Sequence, residues 1–380
     1  MNKADLVKGR VAVAMSGGVD SSVAAALLVR QGYQVFGVTM HLMTEIETEI
    51  EPHHHPCCRT EDINDAAQVC HRLGIPHYVL NFEPLFKEYV INPFYAEYAH
   101  GRTPNPCLAC NREMKFHFLL NKMRALGADY LATGHYACVD AIGGGHHLLK
   151  GIDPAKDQSY VLYMLGEQEL SRLLLPVGRY TKTEVRRLAA EFGLPVSTKP
   201  DSQEICFLPD GDYRPYLEAG FTSSPGDIVD TDGHVLGRHK GIAFYTIGQR
   251  RGMGLSSSHP LYVLEIEAAN NRLVVGPEGG LYSNCLQASA ISWVSGEAPL
   301  PGNKIWARIR YHSPESPATI RTEGDTALVH FDQPQRAIAP GQAVVFYEGD
   351  VVLGGGTIDS IVKDIPRERI RKVPVVTAGP

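Results

Sequence analysis

No apolar run in this 380-residue chain approaches the roughly 18 residues that a membrane-spanning helix needs. The opening segment, MNKADLVKGR, lacks the apolar centre of a secretory signal. These absences lead to the expectation of a cytoplasmic protein with no membrane partner. Charge of one sign is also lacking. Lys plus Arg number 36 and Asp plus Glu 42, a formal net charge of −6. That excludes a chain coated in positive charge, but not local basic patches for nucleic acid. Cysteine is scarce: eight residues in 380 cannot make a disulfide scaffold. In a reducing compartment such cysteines are usually buried, metal-bound or catalytic. What is present is ordinary for a folded protein, with 44% hydrophobic and 21% charged residues. At roughly 150 residues per domain, the length predicts two to three domains.

The first half alternates strand-like and helix-like segments. Strands are expected at Val11–Met15, Gln34–Met40, His77–Leu80 and Tyr130–Thr133. Helices are expected at Val19–Arg30, Glu61–Leu73, Met114–Leu126 and Thr183–Phe192. Such alternation implies a doubly wound parallel sheet with helices on both faces, an α/β fold. After about residue 210 helical periodicity fades and Gly/Pro turn signals multiply. From about 281 short strands recur, at Ile305–Tyr311, Ala327–Phe331, Ala343–Tyr347 and Val351–Leu353, which suggests a small antiparallel β-barrel. The expected division is residues 1–210, a small central domain at 211–280, and a barrel at 281–380.

The sharpest local signal is the string from Ala14 to Ser22, AMSGGVDSS, between the first strand and the first helix. This is the carboxyl end of a parallel strand, where α/β sheets bind ligands. Gly17 and Gly18 let the backbone approach an anion, and the helix N-terminus faces it. Ser16, Ser21 and Ser22 offer hydroxyl donors. An ordinary strand-to-helix turn with a capping serine would explain two glycines, but not the whole string in this context. The loop lacks the Gly-Lys-Ser/Thr ending of a Walker A motif. Cleavage at the γ-phosphate is therefore not the obvious chemistry.

SGGVDSS resembles the pyrophosphatase loop of ATP-pyrophosphatases, which cleave ATP between the α and β phosphates. The resemblance implies ATP and Mg²⁺, with Asp20 positioning the metal. Five further strings narrow it: GRTPNPCLACN at 101–111, TGHY at 133–136, KDQSYVLY at 156–163, DSQEICFLP at 201–209 and YTIGQRRGMG at 245–254. In this order, over essentially the whole chain, they resemble the tRNA-specific 2-thiouridylases. That family replaces the C2 oxygen of the wobble uridine with sulfur, in tRNAs reading Lys, Glu and Gln codons. The resemblance implies that Cys206 carries a persulfide, that Cys110 is its nucleophilic or resolving partner, and that the two can close as a disulfide after turnover. It implies a target-base pocket at Asn105, Pro106 and Cys107. ATP contacts are implied at Ala14, Met15, Ser16, Gly17, Gly18, Val19, Asp20, Ser21, Met40 and Gly134. Contacts with tRNA are implied at Lys156, Asp157, Gln158, Arg310 and Tyr311. The partners implied are tRNA and a persulfide donor, either a cysteine desulfurase or a relay protein.

Position 107 departs from the family pattern. Many members carry Asp-x-x-Cys where this chain has Cys107-Leu108-Ala109-Cys110. A neutral thiol is a poorer acceptor than a carboxylate and has a much higher reference pKa. Cys107, Cys110 and Cys206 together also admit an iron–sulfur cluster with one open iron. A Zn²⁺ site lacks an evident fourth ligand. The remaining alternative is one catalytic cysteine with a redox-inert neighbour.

Lesser signals are of mixed value. His53, His54, His55, Cys57 and Cys58 crowd together in a loop-like segment, better read as a lid than as a metal site. Cys70, Cys138 and Cys285 have apolar or strand-like contexts and read as core. His135 follows Gly134 at a strand end, a functional location in this fold class. Arg238, His239, Lys240, Arg250 and Arg251 fall within fourteen residues that contain no acid, a candidate phosphate-contacting surface. Lys363, Arg367, Arg369, Arg371 and Lys372 form a second, acid-interrupted basic run. Two rival functions remain. An ammonia-using ATP-pyrophosphatase would need no cysteine pair, and a tRNA-binding protein without catalysis would need neither the loop nor the cysteines.

Overall fold

The computed structural model describes residues 8–43, 60–201, 205–208, 213–220, 223–300 and 303–362. The N-terminal unit is built on a five-stranded parallel sheet. Strand β1 (Arg10–Ala14) pairs with β2 (Gln34–His41), which pairs with β3 (His77–Asn81). On its other side β1 pairs with β4 (Tyr130–Ala132). The hairpin β5 (Ala137–Ile142) and β6 (Gly145–Lys150) follows, and β7 (Leu173–Leu174) completes the order β3-β2-β1-β4-β7. Side chains alternate across this sheet. Val11, Val13 and Val35 pack on one face under helices α1 (Val19–Arg30) and α2 (Thr60–Leu73). Ala12, Phe36 and Val38 pack on the other. Both faces are covered, which is why these strands read as continuous apolar runs.

Two departures from the sequence expectations matter for the site. A helical rod runs through Glu83–Phe86, Lys87–Ile91 and Asn92–Ala99 where no helix was expected. Its Phe86, Val90, Phe94 and Tyr98 are buried on the second face of the sheet. The helix expected from Met114 instead begins at Pro106 and continues through Cys110–Leu119 to Ala125. The physical reason is a cap. Asn105 Oδ1 accepts a hydrogen bond from Cys107 N at 3.0 Å, and proline occupies the first helical position. Cys107 and Cys110 therefore ride on the opening turns of a long helix.

The central unit carries the helix Arg214–Gly220 and strands β8 (Gly226–Val229), β9 (Val235–His239), β10 (Tyr262–Glu267) and β11 (Arg272–Gly276), in the order β10-β11-β8-β9. Its core of Ile228, Tyr245, Val263 and Leu273 also takes in Ala337 and Ala339 from the C-terminal unit.

That last unit is an antiparallel barrel of β12 (Tyr282–Trp293), β13 (Lys304–Arg308), β14 (Ser316–Glu323), β15 (Thr326–Arg336), β16 (Ala343–Glu348) and β17 (Val351–Ile361). Strand β12 pairs with both β15 and β17, so the ring closes, leaving only the start of β17 uncovered. Leu286, Ile320, Phe331, Phe346 and Ile358 fill it. The β5–β6 hairpin joins this sheet through Leu149 opposite Val351. The N-terminal unit thus supplies two strands to the C-terminal sheet. The architecture is the expected one: a parallel α/β unit, a small central domain and a C-terminal barrel. The expected strand Ile305–Tyr311 ends at Arg308, so Arg310 and Tyr311 lie in the turn after β13.

Candidate active site

The loop after β1 is held open by close backbone packing. Gly17 has φ +70°, and a Cβ there would lie 2.3 Å from the Asp62 carbonyl oxygen. Gly134, just past β4, has no room for one either, since a Cβ would meet Ser21 N at 2.6 Å. Only glycine permits either approach. Ser16 Oγ and Ser21 Oγ lie 3.2 Å apart at the loop mouth. Ser22 behaves otherwise than expected. It is fully buried, and its hydroxyl donates to the Gly18 carbonyl at 2.7 Å, so it supports the helix start rather than a ligand. Met40 lies near the carboxyl end of β2 and is mostly buried.

Charged groups that the sequence analysis did not single out converge on this loop. Asp20 Oδ1 accepts from Tyr136 Oη at 2.7 Å and from Lys182 Nζ at 2.7 Å. Lys182 also reaches Asp201 at 2.9 Å, as does Lys156, and Arg186 reaches it at 2.6 Å. Burial alone would raise the Asp201 carboxyl. Hydrogen bonds from Lys156 and Lys182 outweigh that and hold it down at about 2. Lys199 Nζ bonds the Gly17 carbonyl at 3.1 Å and pairs with Asp62 at 2.6 Å and Asp65 at 2.5 Å. The one local hint was Lys199 and Asp201, beside the cysteine string at 201–209.

The cysteine helix stands beside this loop. Cys107 is exposed, and Cys110 is half-buried at the margin of the core that also borders Cys206. Behind Cys206, Phe207 is wedged against Phe86 at 5.8 Å and Phe94 at 5.3 Å. Asn111 is buried and donates to the Val161 carbonyl at 3.0 Å. The segment leading to Asn105 is clamped by the barrel. Thr103 N donates to the Pro340 carbonyl at 2.8 Å, and Gln342 Nε2 donates to the Thr103 carbonyl at 2.8 Å. The central domain closes in from the other side, with Ile266 where a Gly101 side chain would be. The residues expected to form a target-base pocket therefore sit where all three units meet.

The five residues expected to meet tRNA fall into different settings. Lys156 is partly exposed, paired with Asp201. Asp157 is enclosed: it accepts from Gly151 N, Ser159 N and Ser159 Oγ at 3.0–3.1 Å and pairs with Arg308. Gln158 Oε1 accepts from Tyr136 N at 2.9 Å. The Arg310 guanidinium donates back to the Ala337 carbonyl at 2.5 Å. The Tyr311 ring lies 6.0 Å from that of Tyr160. Burial first, then the charge of Asp157, pushes the Tyr311 hydroxyl up to about 12.

Cys70, Cys138 and Cys285 are buried as expected, and burial raises all three thiols, Cys70 and Cys285 to about 11. Within the basic stretch His239 proves to be core: it is 2% exposed and its Nε2 meets the Asn271 carbonyl at 3.0 Å. Arg250 and Arg251 instead line a cleft of about 430 Å³ with His259. The His53–Cys58 segment and the run Lys363–Lys372 lie outside the described residues. No helix among the described residues is long and apolar enough to cross a membrane.

A glycine cradle at the carboxyl edge of a parallel sheet, a thiol-bearing helix linked to it through Lys115 and His135, and two β domains packed on the segment that leads into that helix define a nucleotide-using group-transfer enzyme with an ATP-pyrophosphatase-like fold. Family models match along the chain: the tRNA methyl transferase HUP domain over residues 9–210, the tRNA methyl transferase PRC-barrel domain over 214–277 and the aminomethyltransferase beta-barrel domain over 283–358. The tRNA-specific 2-thiouridylase MnmA of Halothermothrix orenii is 50% identical over 353 residues, covering 92% of this chain and 98% of that one. Those of Moorella thermoacetica and Carboxydothermus hydrogenoformans are each 51% identical, over 92% of this chain and 99% and 97% of theirs. The chain belongs to the tRNA-specific 2-thiouridylase family, and is a tRNA sulfurtransferase.

Proposed function

We propose that the protein replaces the C2 oxygen of the wobble uridine with sulfur in two half-reactions within one pocket. In the first, uridine O2 attacks the α-phosphorus of ATP. The bond to the β-phosphate breaks, pyrophosphate leaves, and N3 gives up its proton. In the second, the terminal sulfur of a Cys206 persulfide attacks C2, and AMP departs with the oxygen. The Cys110 thiolate then attacks Cys206 Sγ. The persulfide S–S bond breaks, its electrons stay on the sulfur attached to C2, and a Cys110–Cys206 disulfide remains. A thiol reductant reopens the disulfide. A persulfide donor, a cysteine desulfurase or relay protein, reloads Cys206.

The observation that supports this reading is the link from the helix bearing Cys110 to the phosphate loop: Lys115 of that helix reaches His135 at 3.4 Å, and the neighbouring Gly134 lies against the Ser21 backbone. An adenylated base there is kept from water, which would return it to uridine. The base must leave its stack to enter, because C2 is inaccessible within one. Residues 1–210 would perform the chemistry, while 211–280 and 281–380 hold the tRNA. Lys156, Arg250 and Arg251 would meet phosphates, and Tyr311 offers a stacking face. A cytoplasmic location follows from the substrate.

Mg²⁺ fits the loop, because Asp20 sets a carboxylate there as a hard oxygen ligand. When bound, the ion neutralises charge on the departing pyrophosphate. An iron–sulfur cluster is the second reading of the sulfur step. Cys107 and Cys110 sit on adjoining turns of one helix, and Cys206 borders the same core as Cys110. Held by those three thiols, a cluster would supply the sulfide in place of a persulfide.

The deciding experiment is mass analysis of tRNA incubated with the protein, ATP, Mg²⁺ and a persulfide donor, in air and without it. Replacement of oxygen by sulfur under both conditions supports the persulfide route. Thiolation only without air, by protein containing iron and sulfide, supports the cluster. No thiolation under either condition overturns the reading.

A further inference from the structure

Lys115 is a cation that the scheme above does not use. It projects from the helix bearing Cys107 and Cys110, in the stretch Cys110–Leu119, which is wound with i→i+5 hydrogen bonds. That rare winding recurs at functional sites.

Two acceptors fix the lysine. Its Nζ donates to Asn111 Oδ1 at 2.8 Å and to His135 Nε2 at 3.4 Å. Each acceptor is itself oriented. Asn111 gives its amide hydrogen to the Val161 carbonyl at 3.0 Å, which turns its oxygen toward the lysine. His135 is buried, with Nδ1 2.7 Å from Thr133 Oγ1. Burial, then the Lys115 charge, lowers His135 well below its ordinary range. The ring is therefore neutral, with its proton on Nδ1 and a lone pair toward the ammonium. Among the described residues no carboxylate lies within ion-pair distance of Lys115. An ammonium has three donors, and these contacts take up two. A partly buried cation with no counter-ion among the described residues, held by two neutral acceptors, is prepared for an anion that arrives.

The location says which anion. His135 is bonded directly to Gly134, whose backbone lies against Asp20 and Ser21. Lys115 thus spans the seam between the cysteine helix and the strand end that closes the phosphate loop. We propose that Lys115 is a catalytic residue of the adenylation step, donating its third N–H to a non-bridging oxygen of the ATP α-phosphate as uridine O2 attacks. The lysine stays protonated throughout. Negative charge builds on those oxygens as the α–β bond breaks, and a donor already in place stabilises it without reorganisation. The assignment rests on the adenylation chemistry proposed above.

The test is single-turnover pyrophosphate release by the full chain with ATP, Mg²⁺ and tRNA, for wild type, Lys115→Ala and Lys115→Arg. ATP and tRNA binding are measured separately. For Lys115→Ala, release should slow by about 10²- to 10³-fold, with both affinities changed only a few-fold. Added ethylamine should restore part of the rate, which a merely structural role would not allow. Lys115→Arg keeps the charge and should fall between the two, so it decides the matter if the alanine variant does not fold. Unchanged release, or a loss that follows weakened tRNA binding and ignores the amine, overturns the role of Lys115. Wild type that releases no pyrophosphate with tRNA overturns the adenylation reading instead.

Discussion

Arg308 of the barrel reaches Asp157 of the N-terminal unit, Nη1 to Oδ2 at 3.4 Å, where the carboxylate is only 4% exposed. Arg308 also pairs with Glu315 at 2.8 Å, and Glu315 pairs with Lys150 at 2.8 Å. The Tyr347 ring lies between Lys150 and Arg308, at 4.8 and 5.2 Å. This buried network ties β6 and the 156–163 segment to β13, the strand that delivers Arg310 and Tyr311. Asp157 was expected to touch tRNA. Its side chain is taken up by Gly151, Ser159 and Arg308. Asp157→Ala should lower stability by about 3 kcal/mol, because it takes the acceptor from the buried donors Gly151 N, Ser159 N and Ser159 Oγ and leaves Arg308 with Glu315 alone. Asp157→Asn, which keeps an acceptor for Ser159, should cost less. Urea midpoints of the two variants check the order, and equal midpoints would refute it.

The glycine cradle gives a sharper contrast. Gly134→Ala places a methyl 2.6 Å from Ser21 N, and Gly17→Ala places one 2.3 Å from the Asp62 carbonyl. Both neighbours are backbone and cannot swing aside. Each change should cost about 1–3 kcal/mol of stability. ATP affinity should fall at least tenfold while tRNA affinity stays near wild type. Equilibrium binding of the two ligands, measured on the same preparations, separates these effects.

Acid should weaken the protein partly through Asp201. Its folded pKa is depressed from 3.8 to about 2 by Lys156 and Lys182, against the opposing effect of burial. A depressed carboxyl contributes stability above its unfolded pKa and loses it as pH falls through the folded value. The window is therefore roughly pH 4 down to pH 2. Asp201→Asn should flatten that part of the stability profile and leave the neutral region parallel to wild type. An unchanged acid limb would show that the pairing adds nothing.

The cysteines should divide cleanly. Cys206→Ser and Cys110→Ser should abolish thiolation yet keep tRNA-dependent pyrophosphate release. On the persulfide route Cys107→Ser should retain thiolation; joint loss of iron and activity in that variant would favour the cluster. Alkylation near pH 8 should reach exposed Cys107 well before Cys70 and Cys285, whose thiols burial raises to about 11. Peptide mapping reads the order.

Much of this was legible in one dimension, because the interactions involved are local. Helix α1 spans Val19–Arg30, the expected residues, since a buried strand, a glycine turn and an Ala/Leu-rich segment specify one another at short range. The start of the cysteine helix was also locally encoded, as an asparagine cap followed by proline.

Tertiary structure alone decided the rest. Closure of β12 onto both β15 and β17 depends on which edges meet, and alternation of side chains does not name a partner. The convergence of Lys182 and Tyr136 on Asp20 joins residues more than a hundred positions apart. So does the clamp of the barrel on Thr103. A lysine in a sequence carries no mark of the anion it will face. Local propensity and pattern were enough to place the loop and the cysteines. The charges around them were set by parallel strands and long crossovers, which bring distant chain segments to one edge of a sheet.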